Sequence, residues 1–169
     1  MSMSTQESNR YRSGEERIEC DCGRTHWGFF GAAGLFLVRR NEYGEVTHIV
    51  LQHRAGWSDG GNTWGIPGGA LSFGEEPIDA ALRESKEEAG INSHNLRILG
   101  TSIVTHGNWS YTTVIAETTG YIHPKVVNRE SLAVEWVEAD KVNELPLLPA
   151  FASGWNTLRA RIDQGEFNS

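Results

Sequence analysis

Residues 69–91 read GALSFGEEPIDAALRESKEEAGI, and the fold turns on how this stretch is read. Its second half has the marks of an amphipathic helix over residues 77–89. Pro77 suits the first helical position, and Gly90 suits the residue just past the end. Ile78, Ala81, Leu82, Ser85 and Ala89 recur at helical spacing and predict the packed stripe. Glu84, Glu87 and Glu88 stand at i, i+3 and i+4, so their carboxylates share a face. At about 100° per residue that face lies roughly 120° around from the stripe. One side of the helix is thus expected to be anchored while another gathers three acids.

Three adjacent carboxylates repel one another, and helix stability does not call for them. The i, i+4 pairing of Arg83 with Glu87 is worth only about 0.3–0.5 kcal/mol on a surface. An anionic set of oxygens is what a hard cation such as Mg²⁺ or Mn²⁺ prefers. Zinc more often recruits His or Cys, and this helix has neither. Taken alone, three glutamates would read as a solvated acidic face. The wider spacing changes that: Gly69, five residues, Glu75, seven residues, then Arg83, Glu84, Glu87, Glu88 and Gly90. Seven identities at set spacing arise by chance on the order of once in a million chains.

This stretch resembles the Nudix box, G-x5-E-x7-R-E-U-x-E-E-x-G-U, where U is a bulky apolar residue. Every fixed position matches, Ile91 satisfies the last U, and Ser85 is a small polar residue at the first. The preceding WGIPG (residues 64–68) and the later Glu135–Trp136 pair extend the likeness over residues 29–162. The resemblance implies an α+β fold, an α/β/α sandwich with a mixed sheet between helices and the box as a loop–helix–loop. It implies a Mg²⁺- or Mn²⁺-dependent pyrophosphohydrolase, with metal on Glu84, Glu87, Glu88 and the backbone carbonyl of Gly68. It gives Arg83 the task of orienting a carboxylate and Glu75 a supporting one. An extra acid often comes from a later loop; Glu130 is the nominee and Glu117 its competitor. Glu84, Glu87 or Glu130 would serve as general base.

Outward from the box, residues 28–39 (GFFGAAGLFLVR) read as a buried strand. Residues 46–53 read as its partner across the NEYGE turn, and residues 54–65 as a surface loop. Residues 96–105 and 111–118 predict two strands joined at Gly107–Asn108. Residues 132–137 predict another strand, and residues 149–162 a closing helix. Residues 1–18 read as a disordered lead-in, 19–163 as one domain and 164–169 as a tail. Four residues are substrate-binding candidates: His53 and Arg54 for phosphate oxygens, Trp57 and Tyr111 for stacking on a base. Trp64, Trp109 and His106 are weaker candidates of the same kinds.

A net charge of −7 argues against polymeric nucleic acid as a partner but not against nucleotides. No P-loop pattern occurs. With 38% hydrophobic and 22% charged residues, the chain reads as globular. No apolar run reaches membrane-spanning length, and residues 1–19 lack an apolar core. Two cysteines point to a reducing cytoplasm; homodimerisation is left open. Cys20-Asp-Cys22 with nearby His26 is at most half a zinc site, and a flexible lead-in is the preferred reading. The expected substrate is a nucleotide-like diphosphate. Markers for ADP-ribose, diadenosine polyphosphate, coenzyme A and NADH specificity are missing from their usual places. That elimination puts nucleoside triphosphates, normal or oxidised, ahead of dinucleotides and sugar nucleotides. The rival classes are a non-catalytic nucleotide-binding module and a diphosphate isomerase of the same fold.

Overall fold

The computed structural model describes residues 14–57 and 60–165. The chain opens with a two-stranded antiparallel ribbon, β1 (Arg17–Glu19) and β2 (Thr25–Trp27). A seven-stranded mixed sheet follows: β3 (Ala32–Arg40), β4 (Val46–Arg54), β5 (Trp64–Gly65), β6 (Gly68–Ala70), β7 (Leu96–His106), β8 (Trp109–Thr118) and β9 (Ser131–Glu138). Helix α1 (Pro77–Ala89) covers one face of it. A 3₁₀ turn (Ala139–Glu144), α2 (Pro149–Ala152) and α3 (Trp155–Asp163) cover the other. This is the expected α+β sandwich.

The sheet is split at one end. β3 and β4 pair only at Val38–Arg40 against Val46–Ile49 and then part. The segment between them fills the wedge: β5 pairs with β4 at Gln52 and His53, and β6 pairs with β3 at Ala32–Gly34. The Pro67 carbonyl between them accepts from the Leu35 N–H at 2.9 Å. On their outer sides β3 runs parallel to β8, and β4 antiparallel to β9.

Strand alternation divides the core. Ala33, Leu35, Leu37, Val50, Val114 and Ala116 face α1, while Phe36, Ile49, Leu51 and Ile115 face α3. α1 approaches closely because its contact residues are small: Ala80, Ala81, Ser85 and Ala89 are all buried. Ser85 fits the first apolar position of the box by donating its hydroxyl to the Leu82 carbonyl at 3.0 Å. Gly90 ends the helix at φ 65°, a conformation that favours glycine.

Four expectations shift. The first buried strand begins at Ala32 rather than residue 28, because Gly28 and Gly31 take positive φ and turn the chain. The loop after β4 ends in strand β5. The closing helix breaks at Ser153–Gly154 into α2 and α3, where Phe151 and Trp155 both turn inward. Residues 14–18 of the expected lead-in belong to the ribbon region: the Gly14 carbonyl accepts from Phe29 and that of Glu16 from Gly28. Residues 1–13 of that lead-in and 166–169 of the tail lie outside the described residues. Among the described residues, no helix is long and apolar enough to cross a membrane.

Candidate active site

The acidic cluster forms where α1 passes beneath the wedge, against β6. Arg83 is its hub. Its Nε and one terminal nitrogen donate to the two oxygens of Glu75, each at 2.9 Å, and the latter also donates to the Ala70 carbonyl at 3.0 Å. Its other terminal nitrogen reaches Glu84 at 2.7 Å and Glu87 at 3.3 Å. Only guanidinium offers such a planar fork. Glu75 also accepts from the Ser72 N–H at 3.0 Å. The Arg83 fork holds its carboxyl below the usual range, against burial.

The helix wheel needs correction, because it treats the three box glutamates as equals on one face. β6 covers part of that face, so Glu88 is 5% exposed while the side chain of Glu87 is 55% exposed. Glu88 accepts from the Gly68 N–H at 3.2 Å. Burial above all, then the charges of Glu84 and Glu130 and a hydrogen bond with Glu130, push its carboxyl up to about 9. Glu84 is also raised, chiefly by burial, with Arg83 opposing and Glu87 and Glu130 adding like charge. Gly69 leaves room for it: a Cβ there would stand 2.6 Å from the Glu84 carboxyl carbon.

Glu130 joins the cluster from the loop before β9. Its backbone is tied twice, its N–H to Asn128 Oδ1 at 3.0 Å and its carbonyl to the Ala55 N–H at 2.9 Å. The competing acid, Glu117, is ruled out by position. It sits at the far end of β8, opposite Val38, and binds Arg40 and Arg97.

The substrate candidates divide. Tyr111 lies on the sheet face opposite α1, its hydroxyl lying across Gly34. Burial, then the charge of Glu88, raises that hydroxyl, and Arg54 opposes. Tyr111 and Arg54 are therefore within electrostatic reach of one another and of the cluster's edge. His53 is not brought to the carboxylates. Alternation turns it away from α1, where its ring stacks on Trp64 at 4.6 Å and its Nε2 meets the Asn62 carbonyl at 3.2 Å. Trp57 projects from the loop after β4 and is 71% exposed. Asn128 was not foreseen, because no local pattern marks a residue that fixes a loop. Gly34 had a signal, since a glycine inside a strand marks close approach. A separate polar depression lined by Glu45, His48, Glu138 and Asp140 lies at the other end of β4 and holds none of these residues.

A family model, the NUDIX domain, matches residues 29–158. The chain belongs to the Nudix hydrolase family. It is 46% identical over 159 residues to a "Nucleoside triphosphate pyrophosphatase/Nudix hydrolase fusion protein" of Bifidobacterium longum, a match covering 92% of this chain and 33% of that protein. It is 42% identical over 152 residues to "Putative 8-oxo-dGTP diphosphatase 3" of Mycobacterium tuberculosis, covering 86% of this chain and 69% of that one. The chain thus spans about a third of the first relative and just over two thirds of the second. Among solved structures, the Nudix hydrolase RenU of M. smegmatis superposes with a TM-score of 0.76 at 39% identity, covering 87% of this chain and 94% of that one. The Nudix box is residues 69–91.

The box residues suit a divalent cation, the kind of ion Nudix hydrolases generally use. Glu88 is buried beside like charges, with the Gly68 N–H donating to it. The donors are all oxygens, as hard cations require. Glycine at 69 keeps the space beside Glu84 clear of a side chain.

Proposed function

We propose that this chain hydrolyses a phosphoanhydride bond in a nucleoside diphosphate-linked substrate, with Mg²⁺ or Mn²⁺ held by Glu84, Glu87, Glu88 and the Gly68 carbonyl. The leading substrate is a nucleoside triphosphate, normal or oxidised, cleaved to monophosphate and pyrophosphate. The observation that carries the reading is the buried Glu88 carboxyl beside an Arg83 that holds both Glu84 and Glu87. The mycobacterial relative's name supports an oxidised purine triphosphate.

When bound, such a cation neutralises phosphate charge and lowers the pKa of a water. The chain's own residues do the rest. Arg83, pinned by Glu75, holds one oxygen each of Glu84 and Glu87 and leaves the others free to face the diphosphate. A carboxylate among Glu84, Glu87 and Glu130 accepts the proton of the attacking water. Arg54 lies toward the phosphates, and Tyr111 forms a wall on the opposite sheet face. His53, paired with Trp64, is assigned to that wall rather than to phosphate.

The test is a panel of 8-oxo-dGTP, dGTP, ADP-ribose, a diadenosine polyphosphate and a sugar nucleotide, incubated with Mg²⁺. Pyrophosphate and monophosphate in equal amounts from a triphosphate are expected. Turnover of ADP-ribose or the dinucleotide alone would move the substrate to the dinucleotide class. Binding without any product would identify a non-catalytic module, and turnover without phosphate release an isomerase.

A further inference from the structure

Metal-binding side chains of a second chemical kind converge in the β1–β2 ribbon. The sulfurs of Cys20 and Cys22 and a ring nitrogen of His26 all lie within 4.8 Å of one another. Cys22 Sγ is 3.1 Å from His26 Nε2. This juxtaposition comes from the turn joining the two strands. The Cys20 N–H donates to the Arg24 carbonyl and the Gly23 N–H to the Cys20 carbonyl, both at 2.9 Å, with Gly23 at φ 86°. Antiparallel pairing of Ile18 with His26 then brings the imidazole up beside the sulfurs.

We propose that Cys20 Sγ, Cys22 Sγ and His26 Nε2 form a structural site for a thiophilic divalent metal, zinc being the ion whose preferences they meet. Ligand atoms around tetrahedral zinc stand about 3.4–3.8 Å apart, given Zn–S of about 2.3 Å and Zn–N of about 2.0 Å. The three atoms here are already within that neighbourhood. A fourth ligand comes from water or from His106, whose ring stacks 5.2 Å from that of His26. The set is softer than the all-oxygen box cluster, so the two places select different ions.

On loading, the two S–H bonds give way to two metal–sulfur bonds, their protons go to solvent, and His26 offers a lone pair. No electron is transferred.

The site would clasp the ribbon to the β7–β8 hairpin. Cys20 Sγ already donates to the His106 carbonyl at 2.6 Å, Trp109 Nε1 donates to the Trp27 carbonyl at 3.1 Å, and the His26 ring stacks on Trp109 at 4.2 Å. Trp109 begins the strand that carries Tyr111, so the metal would steady one wall of the proposed substrate cleft.

The full chain, reduced and stripped with chelator, is titrated with Co²⁺ and then Zn²⁺. A thiolate-to-cobalt charge-transfer band saturating at one ion per chain, then bleached by zinc, is expected. Carboxylate-bound cobalt gives no such band, so Glu87→Gln should leave it intact. Cys20→Ser or Cys22→Ser should abolish it, and His26→Gln should weaken affinity at least about tenfold. Cys22 is exposed, and an unchanged metal-free melting curve for Cys22→Ser would show that the variant folds. No band in the wild type, a band that survives Cys22→Ser, or a Cys20–Cys22 disulfide that forms instead of the metal complex would overturn the site.

Discussion

Replacing Glu88 with Gln should make the cation-free protein more stable while impairing its response to Mg²⁺. Folding lifts the Glu88 carboxyl from an ordinary 4.5 to about 9, so the native state takes up a proton that the unfolded chain does not bind. A group raised in this way stabilises fully below pH 4.5 and loses that contribution as pH climbs toward 9. At pH 7 the span above 4.5 is about 2.5 pH units, or at most about 3.4 kcal/mol at 1.36 kcal/mol per unit. The substitution Glu88→Gln removes this dependence and keeps the shape. The introduced amide oxygen can accept from Gly68, and its NH₂ can donate to Glu130. Urea unfolding of both proteins in EDTA at several pH values measures the difference. The variant's advantage should be near zero at pH 4.5, grow with pH, and correspond to roughly 7–14 °C in Tm at pH 7 as an upper bound. Saturating Mg²⁺ should stabilise the wild type and narrow that gap. A variant less stable than wild type at pH 7 without cation, or a gap independent of pH, would refute the raised, buried Glu88 carboxyl.

Three further outcomes are expected. Glu87→Gln should lower kcat at least about 100-fold with little change in Tm, because the side chain is exposed; near-normal turnover would remove it from the chemistry. Arg83→Lys should cut kcat/KM about 10- to 100-fold, since an ammonium cannot span Glu75, Glu84 and Glu87 together. Steady-state kinetics on the best panel substrate tests both. Gly34→Ala should drive the Tyr111 hydroxyl from its place. A KM raised several-fold is expected, and Tyr111→Phe combined with Gly34→Ala should recover part of it; identical kinetics in all variants would separate Tyr111 from substrate.

The helix and its glutamates were legible because their information is local. Pro77, Gly90 and the spacing between them mark the ends of α1, and strand lengths followed from alternation and glycine-rich turns. Glu130 was nominated through its distance from the Glu135–Trp136 pair, and its charge acts on Glu84 and Glu88. What sequence could not supply was everything created by pairing across the sheet. A wheel has no means of representing β6 lying over Glu88, and alternation puts His53 and Arg54 on opposite faces without saying which of them meets α1. The ribbon was underestimated for the same reason. Cys20, Cys22 and His26 look sparse along the chain and become neighbours only when β1 folds back on β2.

The split between β3 and β4 has a bearing on how such a domain can diversify. The backbone that plugs it, residues 64–70, is stitched to both sides and leaves little latitude for change around the diphosphate. The parts that would meet the rest of a substrate, residues 60–63 ahead of β5 and the β7–β8 tip, lie outside that plug and can change without altering the pairing of residues 64–70. Ancestral tinkering with what is recognised would then proceed at the rim while the cleavage apparatus stays untouched at the seam.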